Sequence, residues 1–161
     1  MCWHSRSPRE TRELARALAG AVDEKGLVLL LAGELGTGKT EFAKGLAEGL
    51  GLSASSLVSP SFVIASEQPL PRAAGRPRRL VHADLYRVRA EEELEMAGLH
   101  DWLAPGTLLA VEWGDRYPQA FPRERLEVDL ARAPSGYRTL RAEAHGRYPE
   151  EVLRRWRATC P

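Results

Sequence analysis

Residues 27–32 read LVLLLA, an apolar run with no polar face. Such a run belongs to a strand covered on both sides, as in the middle of a parallel sheet. The segments that flank it repeat at helical spacing instead. Upstream, Leu14, Ala15, Leu18 and Val22 fall on one helical face. Ser7 is the natural N-cap of that helix, Pro8 its first residue, Glu10 the partner in a capping box, and Gly26 its stop. Downstream, Phe42, Ala43, Leu46, Ala47 and Leu50 recur on one face, and Gly51 ends the helix. Residues 1–6 show no pattern and read as a loose start.

The remaining chain alternates strand and loop. Residues 55–67 mix a turn with a short strand, and QPLPRAAGRPRR at 68–79 reads as an exposed loop. A strand over 80–86 ends near Asp84. RAEEELEMAGLHDWL looks helical and then bends. TLLAVEWGD at 107–115 predicts a third core strand with Glu112 near its carboxyl end. RLEVDLA and YRTLRAEA flank RAPSG as the two arms of a hairpin, and residues 148–161 form a short basic helix. Strand, helix, strand and then further strands, without repeat or linker, predict one α/β layered domain with a mostly parallel sheet.

Chemistry enters between the first core strand and its helix. GELGTGKT, residues 33–40, has the form G-x-x-x-x-G-K-T in the strand–loop–helix context that makes it a phosphate loop. Gly33, Gly36 and Gly38 let successive N–H groups face inward, and the following helix adds its positive N-terminal end. Lys39 would reach the outer phosphates of a nucleotide, and Thr40 would place its hydroxyl on Mg2+. A carboxylate near the metal is the next requirement. Asp84 and Glu112 both stand at strand carboxyl ends, where open α/β sheets gather ligands. Either acid alone is also what a strand end ordinarily carries.

Composition narrows this little. The chain has 161 residues, is 43% hydrophobic and 28% charged, and carries a formal net charge of +1. Near-neutrality removes any global electrostatic case for nucleic acid, so RPRR at 76–79 and the arginines of the tail helix read as solvated faces. Cys2 and Cys160 form neither a disulfide framework nor a zinc spacing. No stretch of about 18 apolar residues exists for a membrane span, and the first residues lack the apolar centre of a secretory signal. A cytoplasmic protein is expected.

GELGTGKTEFAKGLAEGLG, VSPSF, HADLYRV and VEWGDR occur in this order at compact spacing over residues 7–144. Together they resemble the TsaE (YjeE) family, small bacterial ATPases of tRNA modification. The resemblance implies an α/β, P-loop NTPase-like three-layer fold with a mostly parallel, mixed central sheet and a C-terminal hairpin. It also implies ATP and Mg2+ as cofactors, and TsaB and TsaD as partners in making N6-threonylcarbamoyladenosine beside the tRNA anticodon. Transfer of the threonylcarbamoyl group falls to TsaD, and ATP hydrolysis sustains turnover of the complex. Any contact with tRNA would come through that complex.

Carried over by residue, the nucleotide loop is Gly33, Glu34, Leu35, Gly36, Thr37, Gly38, Lys39 and Thr40, followed by Glu41. Thr40 and Glu112 would hold Mg2+, and Thr11 would lie near the nucleotide. Ser59, Pro60, Ser61 and Phe62 would form a segment like switch I of GTPases; His82, Asp84, Tyr86 and Arg87 one like switch II. Ser61 departs from the family's threonine but keeps a hydroxyl. SEQPLP stands where many members carry a tyrosine. Lys39, Asp84 and Glu112 are the catalytic candidates, with Asp84 orienting water. His82 has an ordinary structural reading, and Arg138, in the hairpin, reads as a surface arginine by default with reach to a phosphate as the alternative. Trp113, next along the strand from Glu112, would point to the opposite face and pack there. The competing functions are a small-molecule P-loop kinase with Asp84 as base and a nucleotide-dependent binding module without turnover.

Overall fold

A computed structural model of the chain describes residues 1–57, 63–134 and 136–160. Its strands are β1 (Cys2–Ser5), β2 (Leu27–Ala32), β3 (Ala65–Pro69), β4 (Arg79–Asp84), β5 (Thr107–Glu112), β6 (Arg125–Arg132) and β7 (Arg138–His145). Its α-helices are α1 (Pro8–Ala21), α2 (Lys39–Gly49), α3 (Glu92–Met96), α4 (Leu99–Trp102) and α5 (Arg147–Thr159). The seven strands make one sheet in the order β1-β7-β6-β2-β5-β4-β3. β6, β2, β5 and β4 are parallel, while β3, β7 and β1 pair antiparallel with their neighbours. This is the expected α/β, P-loop-like layered fold, with the β6–β7 hairpin in place.

The apolar run over 27–32 is covered on both sides because its side chains alternate between two cores. Leu29 and Leu31 join Leu108, Ala110, Leu126 and Val128 beneath α1, α2 and α5. Leu30 joins Val81, Ala83, Leu109 and Val111 on the other face, under Leu94, Leu99, Trp102 and Phe121. That second layer is thin: α3 and α4 are single turns, separated at Gly98, whose φ of 97° breaks the helix read from RAEEELEMAGLHDWL.

Ser7 caps α1 as expected, accepting from Glu10 N–H at 3.1 Å, with Pro8 inside the first turn. Two expectations fail at the termini. Residues 2–5 are an edge strand rather than a loose start, registered with β7 from Cys2↔Arg141 to Ser5↔Arg138. The hairpin leaves β7 with an open edge, and the N-terminal segment covers it. Trp156, read as part of a solvated basic helix, is fully buried. Its indole donates to Leu14 O at 2.8 Å, and its ring lies 4.1 Å from that of Trp3. Removing such a ring typically costs about 3–5 kcal/mol, so α5 is held by its aromatic anchor while its arginines face outward.

Candidate functional site

The phosphate-loop sequence lies where β2 ends. Gly33 has φ 127°, and a Cβ there would stand 2.1 Å from Leu130 O. Only glycine lets the loop leave β2 that close to β6. Gly36 at φ 76° and Gly38, which precedes α2 at φ 113°, are left-handed as well. Between them Thr37 donates its backbone N–H at 3.4 Å and its hydroxyl at 2.9 Å to Glu34 O. Lys39, 4% exposed, donates from Nζ to Gly33 O at 2.5 Å and Glu34 O at 2.9 Å. Burial pushes the Lys39 ammonium below the usual lysine range, while Glu112, Asp115, Asp84 and Asp129 pull the other way.

Beneath the loop, the parallel register β4–β5 brings Asp84 opposite Glu112. Thr40 Oγ1 donates to Glu112 Oε2 at 3.0 Å, and His82 Nε2 meets Glu112 Oε1 at 2.8 Å. His82 and Glu112 are 1% and 3% exposed. Asp84 sits at the rim of this cluster, where Oδ1 accepts from the Tyr86 N–H at 2.9 Å and shapes the turn after β4. That turn is tied to the one after β5 by Arg116, which donates to Leu85 O at 2.6 Å and Tyr86 O at 2.7 Å. Arg87 lies exposed in the same turn.

Thr40 and Glu112 supply hard oxygen ligands side by side. Among the described residues, no group of three or more His, Cys, Asp or Glu side chains assembles into a cage. One hydroxyl and one carboxylate suit Mg2+, which keeps several waters and takes remaining oxygens from phosphate. The donor set therefore fits the metal that the loop sequence implies.

Two other candidates make contacts of their own. Glu41 turns its carboxylate to α1 and α2, pairing with Arg12 at 2.6 Å and Lys44 at 2.8 Å. Any part it plays at the loop is left to its backbone N–H. Thr11 is fully buried, with its hydroxyl 2.8 Å from Ser5 Oγ and 3.2 Å from Ser7 O, bracing the β1–α1 junction. Ser59, Pro60, Ser61 and Phe62 lie outside the described residues.

Trp113 packs on the face opposite Glu112, as alternation expects, although the strand does not continue through it. β5 stops at Glu112, Trp113 adopts φ 61°, and a Cβ on the following Gly114 would strike Leu30 at 2.9 Å. The chain bends sharply there, yet the indole still packs against the core on the face opposite Glu112, the one that holds Leu30, Val81 and Val111. Its ring centroid is 3.7 Å from Lys39 Nζ and 5.1 Å from the ring of Tyr86. A cation held over an aromatic face at this distance is attracted to it. Two arginines of the hairpin also reach the loop: Arg132 donates to Gly36 O at 3.2 Å and Arg138 to Thr37 O at 3.0 Å. Sequence reading assigned Arg138 to the surface and did not single out Arg132. The only available signal was that both flank a hairpin turn, and nothing local says which way that turn leans.

Known proteins match the chain along most of its length. The family described as threonylcarbamoyl adenosine biosynthesis protein TsaE matches residues 5–140. The tRNA threonylcarbamoyladenosine biosynthesis protein TsaE of Bacillus subtilis is 37% identical over 147 residues, 89% of this chain and 85% of that protein. Its namesake from Streptomyces coelicolor is 38% identical, covering 76% of this chain and 79% of its own length. The crystal structure of Bacillus subtilis YdiB superposes with a TM-score of 0.75 at 31% identity, over 98% of this chain and 94% of that one.

Proposed function

The chain belongs to the TsaE family of threonylcarbamoyl adenosine biosynthesis proteins, and from that premise we propose that it binds ATP with Mg2+ and hydrolyses it to support threonylcarbamoylation of tRNA. The observation that carries this reading is the 3.0 Å hydrogen bond from Thr40 to the buried Glu112. It joins the end of the phosphate loop to the end of a core strand, where a metal–nucleotide complex needs both oxygens. When bound, Mg2+ would neutralise charge on the outer phosphates.

The chain's own residues do the rest. The inward N–H groups of residues 33–40 and the start of α2 cradle the phosphates. Lys39 exchanges its carbonyl partners for phosphate oxygens, and its partly desolvated ammonium gains strength from the low local dielectric. Thr40 and Glu112 hold the metal. Asp84, at the rim, orients the attacking water. Little covalent work is asked of the protein, because phosphoryl transfer is mostly positioning and electrostatics.

TsaB and TsaD are the partners in this reading, acting with the chain in the cytoplasm. Partner contact would set the turn at Tyr86 and Arg87 around the nucleotide. ATP hydrolysis should be slow for the chain alone and rise severalfold with a verified TsaB–TsaD complex. No rise would count against the partnership. Phosphoryl transfer to an added metabolite, faster than hydrolysis, would favour a kinase with Asp84 as base.

A further inference from the structure

Two buried polar atoms without a hydrogen-bond partner belong to residues that face one another across neighbouring strands. They are Ser66 Oγ on β3 and His82 Nδ1 on β4. Ser66 and His82 are directly opposed in the antiparallel register, and directly opposed residues project to the same face with their Cβ atoms about 5 Å apart. Buried polar atoms in native proteins are almost always paired, so each bare atom calls for a partner.

The two are chemically complementary. His82 Nε2 lies 2.8 Å from Glu112 Oε1. A carboxylate accepts, so Nε2 carries a proton, and in the neutral imidazole Nδ1 is then the acceptor. The Ser66 hydroxyl is a donor with nothing to serve. We infer that Ser66 donates to His82 Nδ1 in the nucleotide-loaded protein, completing a relay from β3 through His82 to Glu112.

The consequence is positional. Glu112 is held at one oxygen by Thr40 and at the other by His82. With Ser66 engaged, the imidazole is fixed in tautomer and rotation, and so is the carboxylate that would meet Mg2+. Outer groups of this kind orient ligands without touching the metal. His82 and Ser66 are positioning residues here, and the inference rests on the proposed Mg2+–ATP reading.

The test is calorimetric binding of a non-hydrolysable ATP analogue to the full chain, first in EDTA and then across a Mg2+ series. Wild type, His82→Ala, His82→Gln and Ser66→Ala are compared, with thermal melts of the unliganded proteins to establish folding. His82→Ala should raise the Mg2+ concentration for half-maximal tightening by about 10-fold or more. His82→Gln, whose amide can donate towards Glu112, should recover most of that shift. Ser66→Ala should move the midpoint the same way by a smaller factor and leave affinity in EDTA unchanged. If His82→Ala does not fold, Ser66→Ala and His82→Gln still decide the matter. A Ser66→Ala titration that superposes on wild type overturns the relay. So does a His82→Ala loss equal in EDTA and Mg2+, which marks a merely structural histidine. A wild type indifferent to Mg2+ instead overturns the metal reading, and that failure appears in a different arm of the experiment.

Discussion

The foot and the crown of the 33–40 loop are built by different means. At the foot, Lys39 and Thr40 are tucked against Glu112, His82 and Trp113, and both partner strands β4 and β5 are core strands. At the crown, Leu35 is 75% exposed, and the neighbouring carbonyls of Gly36 and Thr37 are gripped from outside by Arg132 and Arg138. The foot is positioned by parallel register, which a fully buried sheet specifies tightly. The crown is positioned by two long, rim-exposed cations on a hairpin. The foot is therefore suited to chemistry that needs fixed geometry, and the crown to adjustment when a ligand or a partner arrives.

The largest effect should come from breaking the foot. Glu112→Gln should lower Mg2+-dependent ATP hydrolysis at least ~100-fold, about 2.7 kcal/mol of transition-state stabilisation. Its melting temperature should stay level or rise, because a carboxylate at 3% exposure between a hydroxyl and an imidazole is costly to bury. Hydrolysis assays and thermal melts on the same preparation check both halves. Loss of activity together with collapse of the fold would mean that the foot is structural first.

A smaller effect is expected at the crown. Arg138→Ala removes one charge-assisted brace on Thr37 O. ATP binding should weaken about 10-fold, equivalent to about 1.4 kcal/mol, with the Mg2+ dependence unchanged. Equilibrium binding with and without Mg2+ separates this from a foot defect. If Arg138→Ala shifts the Mg2+ midpoint, the two regions are not independent.

The smallest effect lies far from both, where α1 meets α5. Asp23 accepts from Tyr148 Oη at 2.7 Å and from Arg155 at 3.2 Å. Burial pushes its carboxyl up, but the hydrogen bonds from Tyr148, the Lys25 N–H and Arg155 together hold it below the ordinary value. A depressed carboxyl stabilises the fold above its unfolded pKa and loses that contribution as pH falls through its folded pKa. The stability gap between wild type and Asp23→Asn should therefore be full at pH 7 and shrink below about pH 4. Denaturant melts across that range check it, and a gap that widens in acid would reverse the assignment.

Several features were legible because they are local. Ser7, Pro8 and Glu10 announce the start of α1 by capping chemistry alone. LVLLLA announces a strand with two covered faces. Gly33 and Gly38 announce left-handed backbone, and they have it. Trp156 was misjudged, and the partners of His82 and Trp113 were not foreseen, for one shared reason. Each makes its decisive contact with a residue distant in sequence: Glu112, Lys39 and Leu14 respectively. Trp113 keeps to the face opposite Glu112 although β5 ends one residue earlier. The N-terminal strand was illegible because four residues carry too little pattern, and its partner edge exists only after the hairpin has formed.

Sequence by itself determined the loop, the strand and helix around it, the parallel core and the kinship with TsaE proteins. Those follow from apolar periodicity, glycine placement and the order of short motifs, all carried by contiguous residues. Tertiary structure alone decided that His82 stands behind Glu112 and that Trp113 folds back over Lys39. It alone decided that hairpin arginines hold the crown and that Ser66 stands opposite His82 in the β3–β4 register. These depend on strand register and on the direction of one turn after β5. Both are set by how two cores pack on opposite faces of one sheet, and no single segment encodes that packing.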